Sequence, residues 1–335
     1  MEEILATLLP AIEAELKRQI ARLDTPRGRD FHEMLTYHMG WTGDGSGPEA
    51  AGKRIRPLLT LLTASACGAD WQPALPAAAA IEIVHSFSLV HDDIQDRSEK
   101  RRGRPAVWVR WGAPMAINVG DALLMLSSLA MLDLVASYPS DTVSAAAAVL
   151  SSSCLSIAEG QFLDMSYASR TDLQVEDYWP MVSGKTAALL SASCHLGALL
   201  AGADAGRQDS YRSFGNYLGL AFQIQDDLLG IWGDEAITGK SVASDLVEGK
   251  KTLPILVGLN RKGRFAQRWA DGPITPPEVA ELARILAGES AYEYTHSAAK
   301  QMTDSAIDAL READPQGEAG EALMSLAEKL LRRSA

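Results

Sequence analysis

Apolar residues recur every three to four positions along most of this chain, with charged or small polar residues between them. In the first such segment, residues 2–23, Leu5, Leu9, Ile12 and Leu16 lie one helical turn apart. This spacing places them on one face of an α-helix. The same spacing predicts further helices over residues 53–66, 75–97, 114–137, 141–168, 175–201, 207–232, 251–260, 277–287, 289–312 and 317–333.

Helix breakers separate these segments. Pro57 lies near one predicted start, Pro139 precedes another, and Gly202 follows a predicted helix end. No stretch alternates between apolar and polar residues for long enough to indicate a β-strand, and no linker divides the sequence. We therefore predict an all-α fold: a single-domain, multi-helix bundle over residues 1–335, built around a central cleft.

Composition and charge narrow the possible partners and location. The net charge of −12 argues against nucleic acid as a partner, because phosphate backbones require a basic surface. Three cysteines without paired spacing indicate reduced thiols, and the acidic N-terminus lacks the basic start of a signal peptide. No uninterrupted apolar run reaches the roughly 18 residues that span a bilayer. We expect a cytoplasmic protein without a stable membrane anchor.

Two aspartate-rich patches carry the chemistry. The first, residues 92–96, ends a predicted helix, and Asp92 and Asp96 are four residues apart, hence on one face. Asp93 points about 100° away from Asp92 and is expected to play a supporting part. The second patch, residues 223–227, lies in an apolar segment. Clustered carboxylates need positive charge, and magnesium bridged to a diphosphate supplies it.

A solvated acidic helix end is the simpler interpretation of two aspartates at this spacing. The apolar residues 81–90 before the first patch make it less attractive, because they predict a buried helix. Basic side chains suited to phosphate also follow or precede the patches. They are Lys53, Arg54 and Arg56 before Pro57, Arg101 and Arg102 after the first patch, Lys185 after Gly184, and Lys240, Lys250 and Lys251 beyond the second patch. Singly, each is typical of protein surface; together they indicate a site for two anionic groups.

Short motifs over roughly residues 50–255 resemble, in order, those of trans-isoprenyl diphosphate synthases, the polyprenyl synthetase family. They are residues 52–57 (GKRIRP), 82–85 (EIVH), 89–96 (LVHDDIQD), 101–105 (RRGRP), 118–121 (NVGD), 159–161 (EGQ), 184–186 (GKT), 222–227 (FQIQDD) and 249–252 (GKKT). The resemblance implies an isoprenoid synthase-like fold. It also implies a homodimer that joins isopentenyl diphosphate head-to-tail to allylic diphosphates with three magnesium ions.

The resemblance also implies a role for each matching residue. It assigns magnesium to Asp92, Asp96 and Asp226, which with Arg101 and Lys185 form the expected catalytic set. It assigns the allylic diphosphate to Arg101, Lys185, Thr186, Gln223, Lys240 and Lys250. It assigns isopentenyl diphosphate to Lys53, Arg56, His85 and Arg102.

The chain departs from the family pattern at two positions. Ala51 replaces the first glycine of a Gly-Gly-Lys motif, a small change that still permits close approach. Gly230 stands where the second acidic motif usually ends in aspartate, and the next acid is Asp234. We therefore expect Asp226 to be the main ligand of the second patch and Asp227 to support it.

Product length depends on residues just before the first patch. In the resembling family, bulky side chains at the positions of Phe87 and Ser88 close the floor of the tunnel that holds the growing chain. One aromatic beside a small residue, with no insertion in the motif, resembles enzymes that make C20 geranylgeranyl diphosphate. C15 farnesyl diphosphate is the near alternative, and Phe87 as ordinary core packing is the simplest one.

Two other functions fit parts of this pattern less well. A class I terpene cyclase would need a second metal motif of the Asn/Ser/Glu type, which the sequence lacks, and would not use an isopentenyl diphosphate site. A non-catalytic subunit of a heteromeric synthase would have lost ligands in one patch, for which Gly230 is the one indication. For the homodimer, the Ala/Leu-rich helix around residues 114–135 is the expected face.

Overall fold

The computed structural model describes residues 2–233 and 244–331. Its α-helices are α1 (Glu2–Ile20), α2 (Arg29–His38), α3 (Pro48–Ala51), α4 (Ile55–Ala66), α5 (Leu75–Gln95), α6 (Val107–Trp111), α7 (Ala113–Leu132), α8 (Ser140–Tyr167), α9 (Tyr178–Val182), α10 (Ala188–Leu200), α11 (Ala205–Trp232), α12 (Ser244–Glu248), α13 (Leu253–Asn260), α14 (Arg264–Ala270), α15 (Val279–Gly288), α16 (Ala291–Glu312) and α17 (Gly317–Leu331). A π-helical turn, Ser183–Ala187, joins α9 to α10. Strands β1 (Lys100–Arg101) and β2 (Arg104–Pro105) form one hairpin.

The all-α prediction is confirmed, and the long predicted helices are present with small shifts at their ends. In α5, Pro76 occupies the first turn, where its missing N–H costs nothing, and four alanines follow it. The helix ends at Gln95, and Arg97, two residues later, adopts a left-handed conformation with φ of 52°. The predicted end at residue 97 was therefore two residues too long.

Some elements were not predicted. Helices α2, α6 and α14 are short, and the two-residue strands β1 and β2 are too short to show alternation. The hairpin turn consists of Arg102 and Gly103, whose φ values are 51° and 75°. Two consecutive positive φ values match a type I′ turn, which suits the right-handed twist of a hairpin. The Arg-Arg-Gly-Arg-Pro motif thus encodes a hairpin.

The described chain forms two compact units. The first unit contains Met1–Cys154, Ala192–Tyr211 and Asp314–Leu323, and the second contains Leu155–Ser191, Arg212–Ala313 and Met324–Ala335. In the first unit, α5 packs against α7, α4 and α1. Its central residues, Ala77 to Val84, are buried. In the second unit, the core gathers around the fully buried rings of Tyr178 and Phe265. The single domain over residues 1–335 stays a prediction.

Three stretches within the described residues are long and apolar enough, by length and composition, to cross a membrane. They are Gln72–Gln95, Ala113–Ala136 and Ser140–Tyr167. None of these stretches is an uninterrupted apolar run, because small polar residues interrupt each one. Their average composition is nevertheless apolar. In the first stretch, 61% of the apolar window is buried inside the protein. That the chain has no stable membrane anchor stays a prediction.

Candidate active site

The first patch occupies the last turn of α5 and the residue after it. Asp92 is half-buried and Asp96 is exposed, while Asp93 between them is 1% exposed. The backbone N–H of Asp96 donates to the Asp92 carbonyl at 2.8 Å, so the two aspartates are one turn apart. The helix therefore offers Asp92 and Asp96 at its accessible end and directs Asp93 inward.

Asp93 is held by the hairpin. Arg101 Nε and Nη2 donate to Asp93 Oδ1 at 3.0 and 2.5 Å. Burial raises the pKa of the Asp93 carboxyl, and Arg101 opposes that shift. The other oxygen, Oδ2, is buried without a hydrogen-bond partner among the described residues. Arg101, assigned by resemblance to the allylic diphosphate, here positions the end of α5.

Arg102 extends from the hairpin toward the segment before α4. Its Nη1 donates to the carbonyls of Ala50 and Ala51 at 2.8 and 2.6 Å. A Cβ atom on Gly52, where φ is +88°, would lie 2.7 Å from Arg102 Cζ. Gly52 therefore makes room for the guanidinium. Ala51 contributes its carbonyl, so its extra methyl group relative to glycine is tolerated.

Arg54 is buried between two carboxylates that the sequence did not pair with it. Its Nε donates to Glu13 at 2.6 Å, and its Nη1 donates to Glu82 at 2.8 Å. Burial lowers the pKa of Arg54, but Glu82 and Glu13 more than compensate and raise it overall. Arg54 is therefore a structural link between α1, α4 and α5. A glutamate in the apolar first half of α5 was the available signal, because a buried carboxylate requires a cation.

Arg56 and His85 lie in the same basic region of the first unit. Arg56 Nε is buried without a hydrogen-bond partner among the described residues. Burial lowers the pKa of His85 well below its usual value, and the charges of Arg56 and Arg102 lower it further. His85 is therefore neutral at physiological pH. Lys53 is exposed beside them. An orphaned guanidinium nitrogen beside further cations fits an anion.

A small neighbouring pocket is lined by a residue that the sequence analysis did not identify. Its lining includes Tyr37, His38, Arg101, Arg102 and Arg104. Burial, together with Arg102 and Arg101, lowers the pKa of His38 to about 3, so this imidazole is neutral too. Because α2 was not predicted, the sequence offered no signal for His38.

The second patch lies within α11, and its two aspartates differ sharply. Asp226 is exposed, whereas Asp227 is 3% exposed. Asp227 Oδ2 accepts hydrogen bonds from the Tyr178 hydroxyl at 2.8 Å and the Leu253 N–H at 3.1 Å. Its Oδ1 accepts one from Gln223 Nε2 at 3.0 Å. Burial raises the pKa of Asp227 to about 7. Asp227 thus ties α11 to α9 and to the start of α13.

Thr186 and Gln223, both assigned to the allylic diphosphate, contact each other. Thr186 Oγ1 donates to Gln223 Oε1 at 2.8 Å, while Gln223 Nε2 donates to Asp227. The amide of Gln223 is therefore oriented by one partner at each end. This chain of hydrogen bonds connects the π-helical turn to the buried carboxylate of α11.

Lys185 is paired with a residue that the sequence analysis did not name. Its ammonium forms an ion pair with Asp164 of α8, one turn after Gly160. A Cβ on Gly160 would lie 2.2 Å from the backbone nitrogen of Lys185, and one on Gly184 would lie 2.5 Å from the Ser156 carbonyl. The two glycines let α8 and the π-helical turn touch, which brings Asp164 within reach of Lys185.

The segment after α11 contains the remaining predicted residues. Lys240 and Asp234 lie outside the described residues. Lys250 Nζ lies 2.6 Å from Glu248 and 3.7 Å from Asp245, and its side chain is half exposed. A Cβ on Gly230 would lie 2.2 Å from Asp245 Oδ2. The space that a side chain at position 230 would fill is therefore taken by a carboxylate from α12.

Phe87 and Ser88 lie one turn before the first patch. The Phe87 ring meets the His91 ring edge-on, with centroids 4.9 Å apart and an interplanar angle of 69°. Ser88 Oγ donates to the His85 carbonyl at 2.9 Å, and both side chains are half-buried. A Cβ on Gly120 of α7 would lie 2.1 Å from His91 Nε2, so that glycine makes room for the histidine.

The accessible carboxylates are compatible with a magnesium site. Within the described residues, no group of three or more His, Cys, Asp or Glu side chains converges to hold a metal ion by itself. Magnesium typically retains several waters and binds through one or two carboxylates plus substrate phosphates. Asp92 and Asp96, one turn apart at an accessible helix end, fit that requirement. Asp226 adds one accessible carboxylate in the second unit.

Several known proteins resemble this chain in sequence and in structure. The family model described as polyprenyl synthetase matches residues 47–274. The chain is 43% identical over 261 residues to a (2E,6E)-farnesyl diphosphate synthase of Mycobacterium tuberculosis, covering 77% of this chain and 70% of that protein. It is 37% identical over 304 residues to a geranylgeranyl diphosphate synthase of Sulfolobus acidocaldarius, covering 89% of each. A solved geranylgeranyl pyrophosphate synthetase of Pyrococcus horikoshii superposes with a TM-score of 0.89 at 32% identity, covering 99% of this chain and 98% of that one.

Proposed function

The chain belongs to the polyprenyl synthetase family and is a trans-prenyltransferase, and we propose that it makes geranylgeranyl diphosphate (C20) in a magnesium-dependent reaction. Its substrates would be isopentenyl diphosphate and allylic diphosphates. The observation that carries this proposal is the end of α5, where accessible Asp92 and Asp96 are followed by Arg101 and Arg102 of the hairpin. Few other ligands need carboxylate-bound metal and guanidinium groups together as a diphosphate does.

The basic cluster suits isopentenyl diphosphate. Arg102 is fixed by two backbone carbonyls, Arg56 has an orphaned buried nitrogen, and His85 is neutral. A neutral imidazole can donate a hydrogen bond without adding charge to an already cationic cluster. Lys53, at the exposed edge, adds a further positive charge. We assign these four residues to that diphosphate.

The allylic diphosphate is assigned to Arg101, Lys185, Thr186, Gln223, Lys240 and Lys250, as the resemblance implies. Magnesium would be held by Asp92, Asp96 and Asp226, as three ions, and would neutralise the charge on the leaving diphosphate. Lys185 and Arg101 already adjoin carboxylates, which keeps each cation in place before the substrate binds.

The proposed reaction uses these residues in the roles that the resemblance assigns to them. The allylic C1–O bond breaks, and the diphosphate leaves with the electron pair, stabilised by Lys185 and Arg101. The double bond of isopentenyl diphosphate then attacks the allylic cation at C1 and forms the new C–C bond. A proton leaves the resulting cation and passes to the released diphosphate. Alignment of the two substrates and exclusion of water would account for the rest of the rate enhancement.

Product length is proposed from Phe87 beside the small Ser88. The Phe87 ring is braced edge-on by His91, which is in turn seated over Gly120. A ring held in place by a neighbouring ring should block the growing prenyl chain more effectively than a ring that can rotate. C15 farnesyl diphosphate remains the second candidate, because the Mycobacterium tuberculosis relative carries that name.

One experiment tests the activity and the product together. The purified chain is incubated with magnesium, isopentenyl diphosphate and, in turn, dimethylallyl, geranyl and farnesyl diphosphate, and the products are separated by chromatography. We expect geranylgeranyl diphosphate with all three primers. A cyclised hydrocarbon, or no turnover, would overturn the proposed activity. Accumulation of C15 would overturn only the C20 assignment.

Phe87→Ala tests the barrier. If the ring limits the chain, the variant makes products longer than those of the parent protein. Ser88→Ala is the matched control, since it removes a hydroxyl that only bonds the helix backbone. Unchanged product length in Phe87→Ala would mean that the ring is ordinary core packing.

We further propose a cytoplasmic homodimer that pairs through α7. Met125, Leu129 and Leu132 lie on one face of this helix and are 58%, 42% and 55% exposed. Exposed apolar side chains at helical spacing indicate a face that another subunit covers. Light scattering on the parent chain should give the dimer mass, and Leu129→Glu should give the monomer mass. A monomeric parent would refute this proposal.

A further inference from the structure

The motif at residues 118–121 of α7 takes no part in the proposed reaction, yet it contacts α5 just before the first patch. We propose that this motif helps to set product length: Gly120 makes room for the His91 ring, and His91 holds the Phe87 ring in place. His91 is thus a positioning residue, because it acts through Phe87. The inference rests on the proposed function, in which Phe87 closes the floor of the product tunnel.

Gly120 lies directly against the His91 ring. A Cβ atom at position 120 would lie 2.1 Å from Nε2, 2.3 Å from Cδ2 and 3.0 Å from Cε1 of His91. These three nearest atoms all belong to one imidazole ring, and none of them belongs to the backbone. A side chain at position 120 would therefore act first on the His91 ring and displace it.

Two polar groups of the same turn of α7 orient the imidazole. Its Nε2 lies 3.3 Å from the Ile117 carbonyl oxygen and 3.8 Å from Asp121 Oδ1. Because a carbonyl oxygen only accepts hydrogen bonds, the contact with Ile117 requires the proton on Nε2. Positions 117, 120 and 121 share one face of a helix, so a single turn of α7 both makes room for the His91 ring and directs it.

The oriented imidazole contacts Phe87, one turn earlier on α5. The ring centroids are 4.9 Å apart with an interplanar angle of 69°, the edge-on geometry that aromatic pairs prefer. Phe87 is half-buried and the His91 side chain is 25% exposed, so this ring pair lies at the border of the core. A ring at that border can meet a prenyl chain, and its orientation depends on the neighbour that holds it.

The simpler role for His91 is to hold α5 against α7 without any influence on the product. The two roles differ in what changes when the ring is removed. Loss of a helix anchor lowers stability and total turnover but leaves the ratio of product lengths unchanged. Loss of a brace lets the Phe87 ring rotate into the space over Gly120, and the prenyl chain can then extend past it.

The experiment supplies isopentenyl diphosphate, geranyl diphosphate and magnesium, and measures the ratio of products longer than the parent's main product to that product. His91→Ala should raise this ratio at least about tenfold. Gly120→Ala should change it at least about threefold, because the new Cβ displaces the ring. When His91 is already alanine, adding Gly120→Ala should change the ratio by less than about twofold, since no ring is left to displace.

His296→Ala is the matched control. His296 also lies four residues after an aromatic ring, that of Tyr292, and stacks on it, but both side chains are exposed on α16. This variant should keep the ratio of the parent protein. Circular dichroism shows which variants fold. If His91→Ala is unfolded or inactive, His91→Gln takes its place, because glutamine keeps a hydrogen-bond donor without a ring and should lengthen the product as well.

A folded, active His91→Ala that keeps the parent's ratio would overturn the inference. So would a Gly120→Ala effect of equal size with and without the His91 ring, because the glycine would then act independently of that ring. A parent protein that makes no prenyl product would instead refute the proposed function.

Discussion

The first patch lies at the accessible end of α5, whereas the second lies within α11 and has one of its two aspartates buried in the core. In the first, Asp92 and Asp96 are accessible, and the buried Asp93 is paired with Arg101. In the second, only Asp226 is accessible, and the buried Asp227 is held by neutral donors. Each patch therefore divides its aspartates between one surface role and one buried role.

The difference concerns what neutralises the buried aspartate. Asp93 relies on a cation, because Arg101 opposes the rise in its pKa that burial causes. Asp227 relies on hydrogen bonds, and its pKa rises to about 7. Similar aspartate pairs can thus be an ion-pair anchor in one place and a partly protonated hydrogen-bond hub in another.

The largest expected effect is a loss of turnover when an accessible aspartate is removed. Asp92→Ala, Asp96→Ala and Asp226→Ala should each reduce turnover by at least about 10³-fold, because each removes charge that the leaving diphosphate requires. Steady-state kinetics with isopentenyl and geranyl diphosphate measures this. Asp308→Ala, an exposed aspartate on α16, should keep full activity. A silent Asp226→Ala would mean that the second patch is structural throughout.

The second prediction concerns the free energy of unfolding, to which the buried aspartate should contribute more than the accessible one. Asp227→Ala leaves the fully buried Tyr178 hydroxyl and the Leu253 N–H without an acceptor, and should lower the free energy of unfolding by about 2–4 kcal/mol. Asp226→Ala should change it by less than about 0.5 kcal/mol. Urea denaturation gives both values. Equal losses in the two variants would contradict the division of roles.

The third prediction concerns the basic cluster beside the first patch. Gly52→Ala should raise the KM for isopentenyl diphosphate about tenfold, because the new Cβ displaces the Arg102 guanidinium. Gly68→Ala is the matched control, since its φ of +89° is nearly the same and a Cβ there meets nothing within 4 Å. Both variants should lose similar stability from backbone strain, so only Arg102 accounts for a difference in KM. Identical KM values would remove Arg102 from that site.

The fourth prediction is a pH dependence. The pKa of Asp227 rises from 3.8 to about 7 on folding, so its protonated form favours the folded state. Its contribution to stability is present below 3.8 and is lost as the pH rises through 7. The stability of the parent protein minus that of Asp227→Asn should therefore fall between these values. Thermal unfolding at several pH values measures it, and a flat or rising difference would contradict the assignment.

Helix spacing was enough to predict where the accessible aspartates lie. The four-residue separation of Asp92 and Asp96 holds in any helix, and α5 and α11 are long enough to show clear periodicity. The inward direction of Asp93 also followed, since it points about 100° away from Asp92 in a helix. These conclusions depend only on local geometry.

The partners of the charged residues could not be predicted in the same way. Asp164 pairs with Lys185 across two elements, and Glu82 pairs with Arg54 across 28 residues of sequence. Such pairs depend on which helices touch, and small residues such as Gly160 and Gly184 decide that. The contact between Asp245 and Gly230 is a further example, because it depends on where α12 lies beside α11.

The pre-paired cations change what substrate binding involves. Arg101, Lys185 and Lys250 each hold a carboxylate before any diphosphate arrives: Asp93, Asp164 and Glu248 respectively. Under the proposed assignment of these three cations to the allylic diphosphate, binding would be an exchange of anions, in which a protein carboxylate gives way to a phosphate oxygen. Weak or singly charged anions compete poorly in such an exchange. Diphosphate affinity should therefore fall less steeply with salt than three unpaired cations would predict.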